Sequence, residues 1–332
     1  MFILGDEGHY HGRFPWVTAS LIVANVLVFV AQTFLGESFT NGFSLVPMEI
    51  TTFQDLKGVR YHKAKVEVPG FYDHKGHYHP RFEEKQFPIK HYTGPFPIFL
   101  TLFTSMFMHA DVVHLIGNMW FLLIFGRNVE CAMNHGRFLA FYTACGVCAS
   151  FAHIASDPRS IIPCLGASGA ISGILGAYIS IHPLNKIKIW FGWLIGVIDV
   201  PAIIVIGFWF VLQYISAFMS LEHEGVGGVA YWNHLGGFCA GFVILRGMVF
   251  YLRQQQANGE LTEEEPLAPY ARPEDTLSDA LPPPIPEETP GQSASSAEQT
   301  AGVKAGEPDP FESFLSIRTL RQMQEQSKQE QT

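Results

Sequence analysis

Long blocks of apolar residues constrain this chain more than any other feature. They lie between residues 16 and 251, and each approaches the roughly 20 residues that an α-helix needs to cross a bilayer. A helix satisfies its backbone hydrogen bonds within one segment, as lipid requires. We therefore predict an all-α polytopic membrane protein built as a six-helix bundle. The predicted spans are residues 14–34, 98–125, 138–154, 165–181, 202–219 and 229–251.

The chain divides into a membrane domain and a tail. Residues 1–252 form the predicted membrane domain, with residues 35–96 as a long polar connection after the first helix. Residues 253–332 are acidic and rich in Pro, Glu, Ser and Gln, a composition that cannot bury enough apolar surface to offset chain entropy. We expect a disordered cytoplasmic tail. Within it, residues 311–324 have apolar residues at helical spacing, compatible with a docking motif for a cytosolic partner, although a fraying chain end is the simpler interpretation.

Charge and compartment follow from the same division. Fifteen acidic and six basic residues from Arg253 onward account for the formal charge of −9, and without a basic face we expect no nucleic-acid binding. Six helices place both termini on one side, and the rule that cytoplasmic loops are basic assigns that side to the cytoplasm. The first block is not preceded by a basic segment with a cleavage site, so we expect a retained anchor. The six-helix plan without a targeting peptide favours a bacterial inner membrane, with an organellar membrane as the alternative. The basic residues of the same-side connections are Arg127, Arg137, Lys186, Lys188 and Arg253.

A few polar side chains lie within these apolar blocks. Ser168 stands among glycines at the start of the fourth helix, and His234 stands near the start of the sixth. His114 and Asn118 are four residues apart, so they share one face of the second helix. Polar groups at membrane depth turn towards the bundle interior. Taken singly, a packing serine and a core histidine are the simpler interpretations.

Small residues provide a way to bring these groups together. Glycines spaced four apart let two helices approach closely. They occur on the fourth and sixth helices as Gly169, Gly173, Gly237 and Gly241. Contact between the two glycine faces would bring Ser168 and His234 within hydrogen-bond reach.

The combination favours nucleophilic catalysis. A serine becomes a useful nucleophile when a positioned base takes its proton, and His234 is suited to that role. The oxyanion that forms needs donors, which the backbone N–H of Ser168, the Asn118 amide and His114 offer. No Asp is placed to orient the histidine as in a triad, so packing must orient it. This chemistry requires no cofactor and no metal.

Four stretches resemble the rhomboid family of intramembrane serine proteases. The resemblance covers about residues 97–245. It rests on FMHADVVHLIGN (107–118), FGRNVE (125–130), GASG (166–169) and HLGG (234–237). It implies a bacterial six-helix rhomboid that cleaves transmembrane protein substrates near their outer ends within the lipid bilayer. By position, Ser168 is the nucleophile and His234 the base. Asn118 and His114 line the oxyanion site with His109 nearby, and Gly166 belongs to the packing residues.

One departure from the family leaves a question open. Many rhomboids have an aromatic residue four positions after the serine, beneath the histidine ring, where this chain has Ser172. What packs against His234 is therefore open, and a hydrogen bond from Ser172 is one alternative. Ser172 is also a rival nucleophile, but it lies a turn deeper from water.

Other functions remain as alternatives. A catalytically silent rhomboid-like protein would bind transmembrane clients, whereas a transporter would show inverted repeats, which we do not find. A zinc protease would need the motif H-E-x-x-H, which this sequence lacks. His74, His77 and His79 in the first connection suit either a metal ion or a solvated loop, and the loop is the simpler interpretation.

Overall fold

A computed structural model describes residues 2–6, 14–190, 192, 196–222 and 230–258. The described residues are mostly helical. The helices are α1 (Trp16–Leu35), α2 (Glu37–Gly42), α3 (Pro47–Thr52), α4 (Thr101–Thr104), α5 (Val112–Phe121), α6 (Arg127–Met133), α7 (His135–Ser156), α8 (Ser168–Ile181), α9 (Ala202–Glu222) and α10 (Tyr231–Ala257). The strands are β1 (Phe2–Asp6), β2 (Gly58–Tyr72), β3 (Tyr78–His91), β4 (Lys186–Trp190) and β5 (Val197–Pro201).

The predicted helical membrane bundle is confirmed. Among the described residues, five helical segments are long and apolar enough to cross a bilayer. They are Trp16–Leu35, Val112–Met133, His135–Ser156, Ala202–Met219 and Tyr231–Gln255. The remaining predicted span corresponds to α8, which has 14 residues and is therefore only about 21 Å long. Every residue from Gly169 to Tyr178 is buried, so α8 is a short central helix surrounded by longer ones.

The second predicted helix begins later than the sequence suggested. Residues 98–107 form short helical turns, and the continuous span starts at Val112 and reaches Met133 through a π turn at Leu122–Gly126. Asp111 starts the new helix because its carboxylate accepts a hydrogen bond from the backbone N–H of His114 at 2.8 Å. His109 therefore lies in the loop before α5 rather than on the helix. The fourth helix likewise starts at Ser168, not at residue 165.

The first connection contains ordered structure that the sequence analysis did not predict. After α2 and α3, strands β2 and β3 form a long antiparallel hairpin, paired from Gly58 with His91 to Tyr72 with Tyr78. Asp73 closes the turn by accepting the backbone N–H groups of Lys75 and His77 at 2.8 and 2.9 Å. This hairpin is one of two sheets among the described residues of a mostly helical molecule.

A second sheet corrects the interpretation of the connection after α8. Residues 189–198 are apolar but too few to cross a bilayer, and hydropathy alone predicts that they lie in the interface or extend the fifth helix. Instead β4 pairs with β1 on one side and with β5 on the other, all antiparallel. The reason is the alternation in Lys-Ile-Lys-Ile-Trp, which exposes and buries successive side chains of β4. The pairing places the N-terminal strand on the same side of the bundle as the α8–α9 connection.

A buried carboxylate holds the start of α1. Glu130 is 1% exposed, and it accepts hydrogen bonds from the backbone N–H groups of Val17 and Thr18 at 2.9 and 2.7 Å. The hydroxyl of Thr18 also donates to it, at 2.6 Å. Glu130 thus satisfies N–H groups that a helix start leaves without partners.

The boundary predicted at residue 252 falls within α10, which continues to Ala257. Residues 259–332, including the possible docking motif at 311–324, lie outside the described residues. The disordered tail therefore stays a prediction.

Candidate active site

Ser168 is the first residue of α8, so its backbone N–H lies at a helix start, where intrahelical partners are lacking. The loop before it bends at Gly166, whose φ is +125°. A β-carbon on Gly166 would lie 2.8 Å from Cε1 of His114. Only glycine readily adopts this backbone conformation and also leaves room for the His114 ring beside its α-carbon. The G-x-S-G stretch thus brings the loop before Ser168 against His114.

Ser168 and His234 are hydrogen-bonded. Nε2 of His234 lies 2.8 Å from Oγ of Ser168, joining α10 to α8. The other ring nitrogen, Nδ1, lies 2.8 Å from Oε1 of Gln213 on α9. The Trp209 ring, on the same helix, has its centroid 6.1 Å from the imidazole centroid at an interplanar angle of 36°. Two neighbours of the His234 ring, Gln213 and Trp209, are therefore supplied by α9.

Sequence reasoning missed both of these α9 residues. The only available signal was that Gln213 is the single amide in an apolar helix. The partner of Gln213 is His234, 21 residues away, and the periodicity of a single helix cannot indicate a contact between two helices. Ser172, considered as an alternative partner of His234, donates instead to the backbone oxygen of Ser168 at 2.7 Å and is 2% exposed.

The glycine faces of α8 and α10 meet directly. A β-carbon on Gly237 would collide with the carbonyl oxygen of Gly169, and one on Gly241 would collide with that of Gly173. The absence of side chains lets the two backbones touch. This close contact places the start of α8 beside the start of α10, where Ser168 and His234 lie.

Asn118 and His114 lie beside this pair. Both line the cavity that Ser168 and His234 also line, which has a volume of about 1150 Å³. Nδ2 of Asn118 is buried and has no hydrogen-bond partner among the described residues. Since a buried donor normally has a partner, this amide is available to a group that enters the cavity.

His109 is close to the site but is not among the residues that line the cavity. Its side chain is 1% exposed, and its ring packs edge-on against His114 with 5.2 Å between centroids. Gln32 on α1 holds the backbone of His109 through two hydrogen bonds, at 3.0 and 2.9 Å. The structure thus places His109 behind His114.

The cavity extends from the Ser168–His234 pair to the extramembrane part of the chain. Tyr61, His62 and Lys63 of β2 contribute to its lining, together with the connection at residues 157–164. The first connection therefore forms part of the cavity wall.

The histidine cluster of that connection lies around the turn of the hairpin. Asp73 contacts the rings of His77 and His79 at 3.4 and 3.2 Å. Over the ranges that the structure describes, no group of three His, Cys, Asp or Glu side chains is arranged to hold a metal ion.

The fold and the cavity define a class: a multi-pass helical membrane protein with a hydrogen-bonded serine and histidine at an internal cavity. Comparison with known proteins agrees with this class. Residues 98–250 match the family model described as the Rhomboid domain. This chain therefore contains a domain of the rhomboid family, over residues 98–250.

Individual relatives are distant. RHOMBOID-like protein 1 of Arabidopsis thaliana is 25% identical over 252 residues, covering 73% of this chain and 55% of that protein. Rhomboid protease GluP of Bacillus subtilis (strain 168) is 33% identical over 141 residues, covering 42% of this chain and 24% of that protein. Putative rhomboid protease YdcA of the same bacterium is 28% identical over 143 residues, covering 43% and 64%. The chain thus spans between about a quarter and two thirds of the length of these relatives.

Proposed function

We propose that this chain is an intramembrane serine endopeptidase that hydrolyses peptide bonds near the outer end of transmembrane segments in membrane-protein substrates. The observation that carries the proposal is the 2.8 Å contact between Nε2 of His234 and Oγ of Ser168. One relative, GluP, is named a rhomboid protease and another, YdcA, a putative rhomboid protease. The contact supplies the nucleophile and base that such a reaction needs.

The reaction proceeds through an acyl-enzyme. Oγ of Ser168 attacks the scissile carbonyl carbon while its proton passes to Nε2 of His234. The C–N bond of the tetrahedral intermediate then breaks, and the leaving amine takes that proton. Water attacks the ester, giving its proton to His234, and release of the carboxylic acid returns a proton to Ser168. Each step uses the same two side chains.

The oxyanion of the intermediate is stabilised by hydrogen-bond donors at the N-terminus of α8. The backbone N–H of Ser168 lies at the helix start, where the helix dipole also favours negative charge. The unpartnered Nδ2 of Asn118 and the ring of His114 line the same cavity. Preorganised donors of this kind act without further rearrangement. His109 supports His114 from behind.

Substrates must present an accessible carbonyl. In an intact helix the carbonyl is already hydrogen-bonded, so the cleaved segment carries small or helix-weakening residues near the outer membrane face. Replacing such Gly or Pro residues by Leu is expected to slow cleavage. Equal cleavage of both forms would contradict this requirement.

We further propose that both termini face the cytoplasm of a bacterial inner membrane. Pairing of β1 with β4 supports placing the N-terminal segment and the α8–α9 connection on one side. The basic residues of the connections on that side favour the cytoplasm. Accessibility of a cysteine introduced next to β1 in sealed vesicles tests this orientation.

The test of the proposed activity is labelling of the detergent-purified protein with a fluorophosphonate. Wild type is compared with Ser168→Ala, His234→Ala and Ser172→Ala, the last being a buried serine on the same helix. We expect labelling of wild type and of Ser172→Ala, and none of the other two. A folded wild type without labelling would favour the client-binding alternative, and loss through Ser172→Ala alone would mean that the nucleophile is misassigned.

A further inference from the structure

We propose that Gln213 is a positioning residue for the base, a role that rests on the proposed Ser168–His234 chemistry. Its side-chain carbonyl accepts a hydrogen bond from Nδ1–H of His234. This holds the imidazole in the tautomer and orientation in which Nε2 receives the serine proton.

The geometry fixes the ring from both sides. Oε1 of Gln213 lies 2.8 Å from Nδ1 and Oγ of Ser168 lies 2.8 Å from Nε2. A neutral imidazole has one N–H and one lone pair. Because an amide oxygen only accepts, Nδ1 must carry the hydrogen, and the lone pair of Nε2 is left facing the serine hydroxyl. This is the tautomer that a general base requires.

The surroundings of Gln213 explain why this contact forms. It occupies a helix whose other side chains are largely apolar and exposed on the outer face of the bundle, among them Leu212, Tyr214 and Ile215. An amide at membrane depth needs a polar partner, and the structure supplies His234. Trp209, one turn earlier and thus on the same face, packs beside the imidazole at 6.1 Å. One face of α9 therefore restrains His234 both by packing and by a hydrogen bond.

The base is therefore oriented by a third helix. Ser168 and His234 belong to α8 and α10, whose glycine faces pack directly against each other. Gln213 belongs to α9, and it is not among the residues that line the cavity. Displacement of α9 would remove the hydrogen bond to Nδ1 without separating the serine from the histidine. Catalytic competence then depends on how α9 is seated against α10.

The test compares variants of Gln213 in the full-length, detergent-solubilised protein. Gln213→Met keeps the side-chain length and removes the hydrogen-bond acceptor. Gln213→Asn keeps the amide but is too short to reach Nδ1. Gln213→Glu keeps the length and a carbonyl-type acceptor oxygen, and when ionised it only accepts. Leu212→Ala, on the exposed face of the same helix, is the matched control. The readouts are the rate constant for fluorophosphonate labelling of Ser168, kcat and KM for a cleaved substrate, and thermal unfolding.

We expect labelling and kcat to fall about three- to tenfold in Gln213→Met and Gln213→Asn, the change that loss of one neutral hydrogen bond produces. KM stays unchanged because Gln213 does not line the cavity. Gln213→Glu restores the wild-type rate or exceeds it, and Leu212→Ala leaves the rate unchanged.

Three outcomes overturn the inference. Equal labelling of wild type, Gln213→Met and Gln213→Asn would show that the contact has no role in catalysis, with the proposed protease activity intact. Equal slowing in Gln213→Glu and Gln213→Met would indicate packing only. Failure of wild type itself to label would remove the proposed function and this inference together.

Discussion

Replacing Asn118 with leucine distinguishes an oxyanion donor from a packing residue. Asn118 is 8% exposed, and in the part of the chain that the structure describes its buried Nδ2 has no hydrogen-bond partner. Leaving such a donor unsatisfied costs about 1–3 kcal/mol. Because leucine has a similar size and no N–H, Asn118→Leu removes that cost. We expect the free energy of unfolding to stay the same or to rise by up to about 3 kcal/mol.

The rate of labelling at Ser168 should fall in Asn118→Leu, although the free energy of unfolding does not. Loss of one preorganised oxyanion donor lowers the rate by about 100- to 1000-fold, or about 2.7–4 kcal/mol of transition-state stabilisation. The assay is the rate of fluorophosphonate labelling at Ser168, since the phosphonyl oxygen occupies the position of the oxyanion. Thermal unfolding of the same preparation reports stability.

A second buried amide, Asn25, provides the control for this prediction. Asn25 is a buried amide in α1 whose Nδ2 donates to the carbonyl oxygen of Leu21 at 2.8 Å. Asn25→Leu is expected to leave labelling unchanged. If Asn118→Leu destabilised the protein and left labelling unchanged, Asn118 would be a helix-packing residue, and our assignment of the unpartnered Nδ2 would be refuted.

Three further predictions concern the scaffold. Glu130→Ala leaves buried N–H groups at the start of α1 unsatisfied and should lower stability by about 3 kcal/mol or more, with Glu130→Gln losing less in thermal unfolding. Gly241→Ala forces α10 away from the Gly173 carbonyl, so it should slow labelling and cost about 1–3 kcal/mol. At Gly247 an added β-carbon would meet no atom of the described residues within 4 Å, so Gly247→Ala should do neither. Burial raises the pKa of Glu49 from 4.5 to about 7. Its neutral form is therefore favoured on folding, so Glu49 contributes about 1–2 kcal/mol of stability that is fully present below pH 4.5 and is lost as pH rises through about 7. Hydrogen exchange in α3 should show this fall in wild type and not in Glu49→Gln.

The second helix and the first connection show where sequence reasoning was limited. The apolar residues continue through the break before α5, so hydropathy did not indicate where the helix starts. The start is set by a local hydrogen bond from the backbone N–H of His114 to the Asp111 carboxylate, which a hydropathy profile does not detect. The hairpin of β2 and β3 was interpreted as a polar connection. Its described side chains are mostly exposed or half-buried, so the alternation of buried and exposed residues that marks a strand was weak.

Local patterns in the sequence by themselves determined the helical bundle and the candidate pair. Apolar length and glycine spacing are local properties, and they sufficed to predict that α8 and α10 meet at Ser168 and His234. Tertiary structure alone decided how His234 is held, that His109 stands behind His114, and that β1 joins a sheet with β4. These contacts join residues from separate elements whose own neighbours in sequence give no sign of the partner. Gln213 is the clearest case: a lone amide in an apolar helix needs a partner, and only the packing of α9 on α10 selects Nδ1 of His234.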